Sequence, residues 1–229
     1  MQQINYSACN MEKQLALNLF ENNEAKNENF VQTIKLPSED NIADGEITII
    51  QKFFEKSESD RLFANLLKNI NWQQDKIKIF GKQVDLPRLT AWYGDEGKSY
   101  KYSGITMNPN SWIPSLLSIK QRIEPVAKLS FNSVLANLYR DGQDYVSWHS
   151  DDEPELGKNP TIASVSLGDT RRFMLRHKSN KDLETVEIAL THGSLLIMRG
   201  STQHFWKHQI PKTAKVKKER INLTFRVIN

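Results

Sequence analysis

From Phe131 to the C-terminus the chain is a succession of short β-type runs, FNSVLANLYR, DYVSWHS, TIASVSLG, RFMLRH, TVEIAL, GSLLIMRG and INLTFRVIN. Turn dipeptides such as Asp141-Gly142, Gly168-Asp169 and His192-Gly193 separate most of them. Many short strands at close spacing restrict this half to a sandwich, a jelly roll or a barrel. Upstream the period changes to that of helices. Ser57 is placed to cap a helix that carries Leu62, Phe63, Leu66, Leu67 and Ile70, and a second helix is expected from about Ser111 to Glu124, with Pro125 near its stop. The fold class is therefore mainly β with flanking helices, an α+β arrangement.

Residues 1–45 read differently, as a polar, acidic and mobile extension with a short helix at Leu15–Phe20. Of the 31 Lys and Arg and 27 Asp and Glu, three lysines and seven acids fall in this stretch, leaving 28 basic and 20 acidic residues in 46–229. A globular part this basic favours polyanionic partners, although such a sum also serves solubility. Cys9 is the single cysteine, so the chain can form neither an internal disulfide nor a thiolate zinc cluster. The first residues have no basic n-region followed by an apolar stretch, and no apolar run reaches the ~20 residues of a membrane span. The expectation is an intracellular protein with no membrane partner, acting as a monomer, cytoplasmic in a bacterium or nuclear in a eukaryote.

In DYVSWHSDD, His149 and Asp151 are two apart, which in an extended segment puts both side chains on one face. His208, in HFWKHQIPK, is available as a third ligand, and His204 competes with it for that place. Two imidazoles and one carboxylate leave open coordination positions, the arrangement that suits Fe(II) binding a cosubstrate and O2. A bare His-x-Asp pair is a weak signal, since a surface histidine beside the acidic stretch Asp151-Asp152-Glu153 has the same pattern. His177 and His192 read as strand-end or turn residues.

The last strand adds a second chemistry. Arg220, Asn222, Thr224 and Arg226 alternate with Ile221, Leu223, Phe225 and Val227, so two arginines share the non-aliphatic face. Six residues of strand span about 20 Å, too far to grip one carboxylate but suited to opposite ends of a small dicarboxylate, or to one end and the metal site. Solvent-facing arginines are the plain alternative. Asn137 and Tyr139, another period-two pair, offer an amide and a phenol to the same cavity, or are ordinary strand residues.

The segments NLYRDGQDYVSWHSDDE, ASVSLG, RRFMLRHK, HGSLLIMRG, KHQIP and RINLTFR, in this order and spacing, resemble the AlkB family, most of all its short eukaryotic-type DNA-repair homologues. The similarity runs from about Phe80 to the C-terminus. It implies a double-stranded β-helix, or jelly roll, in 131–229, preceded by helices and a nucleotide-recognition hairpin region in 46–130. It also implies the cofactor set Fe(II), 2-oxoglutarate and O2, and oxidative dealkylation of N-alkylated bases in DNA. By this resemblance His149, Asp151 and His208 are the iron ligands, which favours His208 over His204. Asn137, Tyr139, Arg220, Thr224 and Arg226 match 2-oxoglutarate positions, with Arg220 at the distal carboxylate and Arg226 nearer the metal.

Asp152 matches an acid that contacts the substrate, and an N-alkylated adenine or cytosine is cationic. Phe80, with Gly81 and Lys82 in KIKIFGKQ, matches a finger that fills the gap left by a flipped base, while Tyr100, Lys101 and Tyr102 lie in an aromatic-rich stretch suited to clamping it. Tyr102 departs from the family, which has phenylalanine there. A lysine-rich approach to the last strand, Lys212, Lys215, Lys217 and Lys218, is suited to a phosphate backbone. Rival readings are the same chemistry on RNA or a protein side chain, a catalytically silent nucleic-acid-binding module, and a zinc hydrolase, for which no His-Glu-x-x-His helix exists.

Overall fold

A computed structural model describes residues 30–38, 44–79, 81–97, 100–102, 105–107 and 109–229, for residues 78–79, 100–102 and 105–107 the backbone alone. The described strands, in chain order, are β1 (Val31–Lys35), β2 (Glu46–Ile50), β3 (Lys76–Ile79), β4 (Lys82–Asp85), β5 (Leu89–Gly94), β6 (Tyr100–Tyr102), β7 (Ile105–Met107) and β8 (Ser133–Tyr139), followed by β9 (Val146–His149), β10 (Ile162–Gly168), β11 (Arg171–His177), β12 (Val186–Leu190), β13 (Ser194–Arg199), β14 (Trp206–Ile210) and β15 (Arg220–Arg226). They build a seven-stranded sheet in the order β1-β2-β13-β10-β15-β8-β5, a four-stranded sheet β12-β11-β14-β9, and two hairpins, β3-β4 and β6-β7. Two antiparallel sheets facing each other in this way are the jelly roll, the expected alternative among the three.

Helices α1 (Lys56–Asn69) and α2 (Pro114–Ala127) cover the outer face of the large sheet. Leu66 of the first, Ile70 at its C-terminal cap, and Leu116, Ile119, Ile123 and Ala127 of the second pack with Val165, Ile197, Ile221, Leu223 and Phe225 in one core. A second core lies between the sheets, built from Ile47, Tyr139, Ile162, Phe173, Leu175, Leu196, Met198, Trp206 and Ile210. Strand β15 is consequently buried on both faces along its whole length. Its aliphatic residues point to the helices and its polar ones to the space between the sheets, so the arginines do not face solvent.

The structure corrects several local expectations. Val31–Lys35, inside the stretch read as a mobile extension, pairs with β2 from Val31↔Ile50 to Lys35↔Glu46, so the ordered fold starts before residue 46. The helix expected at Leu15–Phe20 lies outside the described residues. Glu55, not Ser57, occupies the cap position of α1 and makes no side-chain capping bond, while Ser59 Oγ donates to Phe54 O. The second helix begins at Pro114 and runs through Pro125 to Ala127, ending at Lys128 in the left-handed conformation. A proline at the first helical position costs no hydrogen bond, and this explains the later start. Trp206–Ile210, not recognised as a strand, alternates Trp206, His208 and Ile210 inward with Lys207 and Gln209 at intermediate exposure.

Two of the turn glycines are required by their surroundings. Gly168 (φ +94°) and Gly193 (φ +77°) are left-handed, and a Cβ would collide with Glu219 O at the first and with Phe54 O and Ser59 Oγ at the second. Gly168→Ala and Gly193→Ala are each expected to destabilise the protein by more than about 1 kcal/mol, read as a lower urea midpoint with an unchanged slope.

Candidate metal centre and dicarboxylate slot

His149 ends β9, Asp151 follows two residues on, and His208 sits opposite His149 in the β14–β9 register. One potential ligand atom from each of the three lies within 4.8 Å of the other two, and His149 Nε2 is 3.6 Å from Asp151 Oδ1. The imidazole rings are 4.2 Å apart, centroid to centroid. His149 Nδ1 is 2.8 Å from Ser147 O, which as the acceptor fixes the proton on Nδ1 and frees Nε2 for a ligand. The buried Nδ1 of His208 has no hydrogen-bond partner among the described residues.

The other histidines are accounted for elsewhere. His177 is buried against Asp44 and accepts from Asn180 N; His192 pairs with Asp60 and accepts from Gly168 N; His204 is exposed, edge-on to Phe205.

Asp151 is held from two directions. Its backbone N donates to Gln203 Oε1 at 2.9 Å, and its Oδ2 accepts from Arg226 Nη2 at 2.8 Å and Nε at 3.2 Å. Burial pushes its pKa up, but Arg226 and the two imidazoles outweigh that and hold it well below the usual carboxylate range. Burial, with the neighbouring His149, brings His208 down to about 3, so it is neutral at pH 7, the form that binds a metal ion.

Arg220, fully buried, lies at the other end of β15. Its Nη2 donates to Ser166 Oγ at 2.9 Å, and its guanidinium rests 5.1 Å from the Tyr139 ring centroid. Nε and Nη1 have no hydrogen-bond partner among the described residues. Burial lowers its pKa to about 10, which leaves it charged at neutral pH. A buried guanidinium with two orphaned donors is costly unless an anion completes it.

A recess of about 50 Å³ runs from the His149, Asp151 and His208 cluster to Tyr139, lined among others by Asn137, Thr224 and Arg226. Asn137 Oδ1 accepts from Arg88 Nε at 2.7 Å, and Asn222 Nδ2 donates to Ser164 Oγ at 2.8 Å. The sequence reading did not single out Arg88, Ser164, Ser166, Gln203 or Arg171 as site residues, and no spacing pattern marks them. Two nitrogens of Arg226 serve Asp151, so of the two placements expected for the arginine pair this residue takes the one at the metal site.

The expected base-side residues are placed less fully. Phe80 lies outside the described residues; Gly81 (φ +79°) and exposed Lys82 stand at the β3–β4 turn. Tyr100, Lys101 and Tyr102 form β6, paired with β7 from Tyr100↔Met107 to Tyr102↔Ile105. Asp152 is on the surface with its carboxylate on Lys178 Nζ at 2.8 Å. Among the other aromatics of this stretch, Trp92 and Tyr93 are core residues and Trp72 packs half-buried against the core. In the lysine cluster, Lys217 pairs with Asp169 and Lys212 lies over the Tyr145 ring.

The model of the 2OG-Fe(II) oxygenase superfamily matches residues 46–226. The chain belongs to that superfamily. It is 47% identical over 184 residues to "Alpha-ketoglutarate-dependent dioxygenase alkB homolog 3" of Bos taurus, covering 77% of this chain and 64% of that protein. It is 40% identical over 184 residues to "DNA oxidative demethylase ALKBH2" of Mus musculus, covering 76% of this chain and 77% of that protein. The chain thus spans less than two thirds of the length of the alkB homolog 3 relative. The solved structure of OsALKBH1 has the same fold, with a TM-score of 0.59 at 19% identity, over 86% of this chain and 100% of that one.

The superfamily's Fe(II), 2-oxoglutarate and O2 fit the residues present. Two neutral nitrogens and one carboxylate can hold Fe(II) with positions to spare, and the orphaned donors of Arg220 match a far carboxylate.

Removing the Asp151 carboxylate leaves Arg226 buried without its partner. Asp151→Ala is therefore expected to abolish divalent-metal binding and also to cost the metal-free protein about 3 to 5 kcal/mol, part of which Arg226→Met should return; urea denaturation measures both. His208 has a lower pKa folded than unfolded, so the stability carried by its neutral form is complete above pH 6.5 and is lost as pH falls towards 3. Metal-free protein should weaken between pH 6.5 and 5 with a slope approaching 1.4 kcal/mol per pH unit for this group, roughly, and His208→Gln should flatten it.

Proposed function

We propose that the protein is an oxidative dealkylase of N-alkylated bases in DNA, of the 1-methyladenine and 3-methylcytosine type. The observation that carries this reading is a recess lined by a two-imidazole, one-carboxylate cluster and by Tyr139, whose ring lies 5.1 Å from the guanidinium of Arg220, a buried arginine with unused donors. The names of its relatives support the substrate class, and so does the excess of basic residues in 46–229.

In this reading His149, Asp151 and His208 hold the iron, and Arg226 keeps Asp151 ionised and aimed. Arg220 receives the far carboxylate of 2-oxoglutarate, with Tyr139 beneath it and Thr224 and Asn137 along the slot. Arg88 orients the Asn137 amide by donating to its oxygen, so the amide nitrogen faces the other way. Bound iron supplies the coupling of O2 and 2-oxoglutarate to succinate, CO2 and a hydroxylated alkyl group, which leaves the base as an aldehyde.

The enclosing hydrophobic wall of Leu135, Phe173, Met198 and Ile210 excludes water from this chemistry. On the open side, Asp152 is the acid nearest in sequence to the ligands, and a cationic base would compete for it with Lys178. Phe80, Gly81 and Lys82 of the β3–β4 hairpin, and Tyr100, Lys101 and Tyr102 of β6, are the contacts we assign to the extruded base and its strand. We read 46–229, with β1 paired to its sheet edge, as one catalytic domain, acting as a monomer inside the cell, in the cytoplasm of a bacterium or the nucleus of a eukaryote.

Iron-loaded protein is expected to release succinate in step with loss of the methyl group from a 1-methyladenine oligonucleotide, followed by mass spectrometry, and His149→Ala to release none. Methylated RNA and a methylated peptide, run in parallel, locate the substrate class. Protein that binds 2-oxoglutarate but shows no mass change on any methylated DNA strand contradicts the assignment.

A further inference from the structure

Arg171 is a fourth buried arginine, after Arg88, Arg220 and Arg226, and the chemistry above does not use it. It opens β11, points between the sheets and is almost fully buried. Its guanidinium donates only to main-chain carbonyls in the structure: Nη1 to Asp141 O at 2.9 Å, and Nη2 to Asp144 O and Pro211 O, both at 2.8 Å. These carbonyls belong to the turn after β8 and to the segment after β14, so one side chain ties together the loops that follow these two strands.

The same guanidinium lies 5.5 Å from the Tyr139 ring centroid, and that of Arg220 lies 5.1 Å from it. One buried phenol ring thus carries two cations. Neutral carbonyls do not cancel the charge of Arg171, and the carboxylate of Asp144 is already engaged by Arg140 at 2.7 Å. Asp144, Asp169 and Asp141 act on Arg171 through space, and Arg171 in turn acts on Arg220 as a like charge. Two cations in a desolvated pocket repel unless an anion joins them, and a dianion gains from both.

We propose that Arg171 is a positioning residue that makes the slot selective for a dianionic 2-oxo acid. It fixes Tyr139 under Arg220, and it adds a second positive charge behind the point where the far carboxylate arrives. The inference rests on the reading of Arg220 as the receiver of that carboxylate.

The test is an equilibrium titration of Mn(II)-loaded protein, without turnover, with 2-oxoglutarate and with 2-oxobutyrate, which lacks the far carboxylate. Wild-type protein is expected to prefer 2-oxoglutarate. Arg171→Met should lower affinity for 2-oxoglutarate by about tenfold and leave 2-oxobutyrate within about twofold, while Arg171→Lys, which keeps the charge, should keep most of the preference. If the wild type binds both acids alike, the Arg220 reading fails before Arg171 is reached. If the wild type discriminates but Arg171→Met weakens both acids equally, or changes neither, Arg171 is only a structural tie and the proposal falls. Loss of the preference in Arg171→Lys overturns the charge argument whether or not the methionine variant folds.

Discussion

The carboxylate of Asp151 sits buried between the sheets against the guanidinium of Arg226, and the geometry of the site depends on that contact. A lone carboxylate there would be driven towards its neutral form, and a lone guanidinium would be as costly. Together they are stable, and they couple the chain just past β9 to the last residue of β15. Gln203 takes the backbone N–H of the same aspartate, so the short helical turn before β14 is fastened to the segment it must face. Both ligand-bearing elements are thereby tied to one central strand.

That strand also acts as a ruler. Arg226 and Arg220 lie on the same face, roughly 20 Å apart along an extended backbone, with Asn222 and Thr224 between them. Because helices cover the opposite face, Ile221, Leu223 and Phe225 are locked in the larger core and the register cannot slip without burying arginine among aliphatic residues. The hydrophobic pattern of β15 therefore sets the position of its polar side chains. The small sheet completes the enclosure by bringing His149, Phe173, His208 and Ile210 over the recess.

Much of this was legible because it is periodic. Alternation in RINLTFR announced a two-faced strand, His149 and Asp151 were separated by the strand period, and two of the three turn glycines, Gly168 and Gly193, fell where the structure needs left-handed backbone. What stayed hidden depends on long-range partners. Trp206–Ile210 was not legible as a strand because three of its five residues are polar or charged, and its neighbour β9 is 59 residues away in the pairing of His208 with His149. Val31–Lys35 is an edge strand with little burial, so its composition resembles that of a loop. Arg88, Arg171 and Gln203 carry no motif, and their importance comes from which carbonyl or amide they meet. Trp92 and Tyr93 went the other way: aromatic density suggested a base-binding surface, and the fold uses both in its core.

The account stands on the ion and the diacid sharing one recess, which makes their binding mutually dependent. The direct measurement is the affinity of the protein for 2-oxoglutarate under argon, determined with and without one equivalent of Fe(II). Tighter binding in the presence of iron, matched by an equal tightening of iron by 2-oxoglutarate, is the expected result. Equal affinities under the two conditions would contradict it.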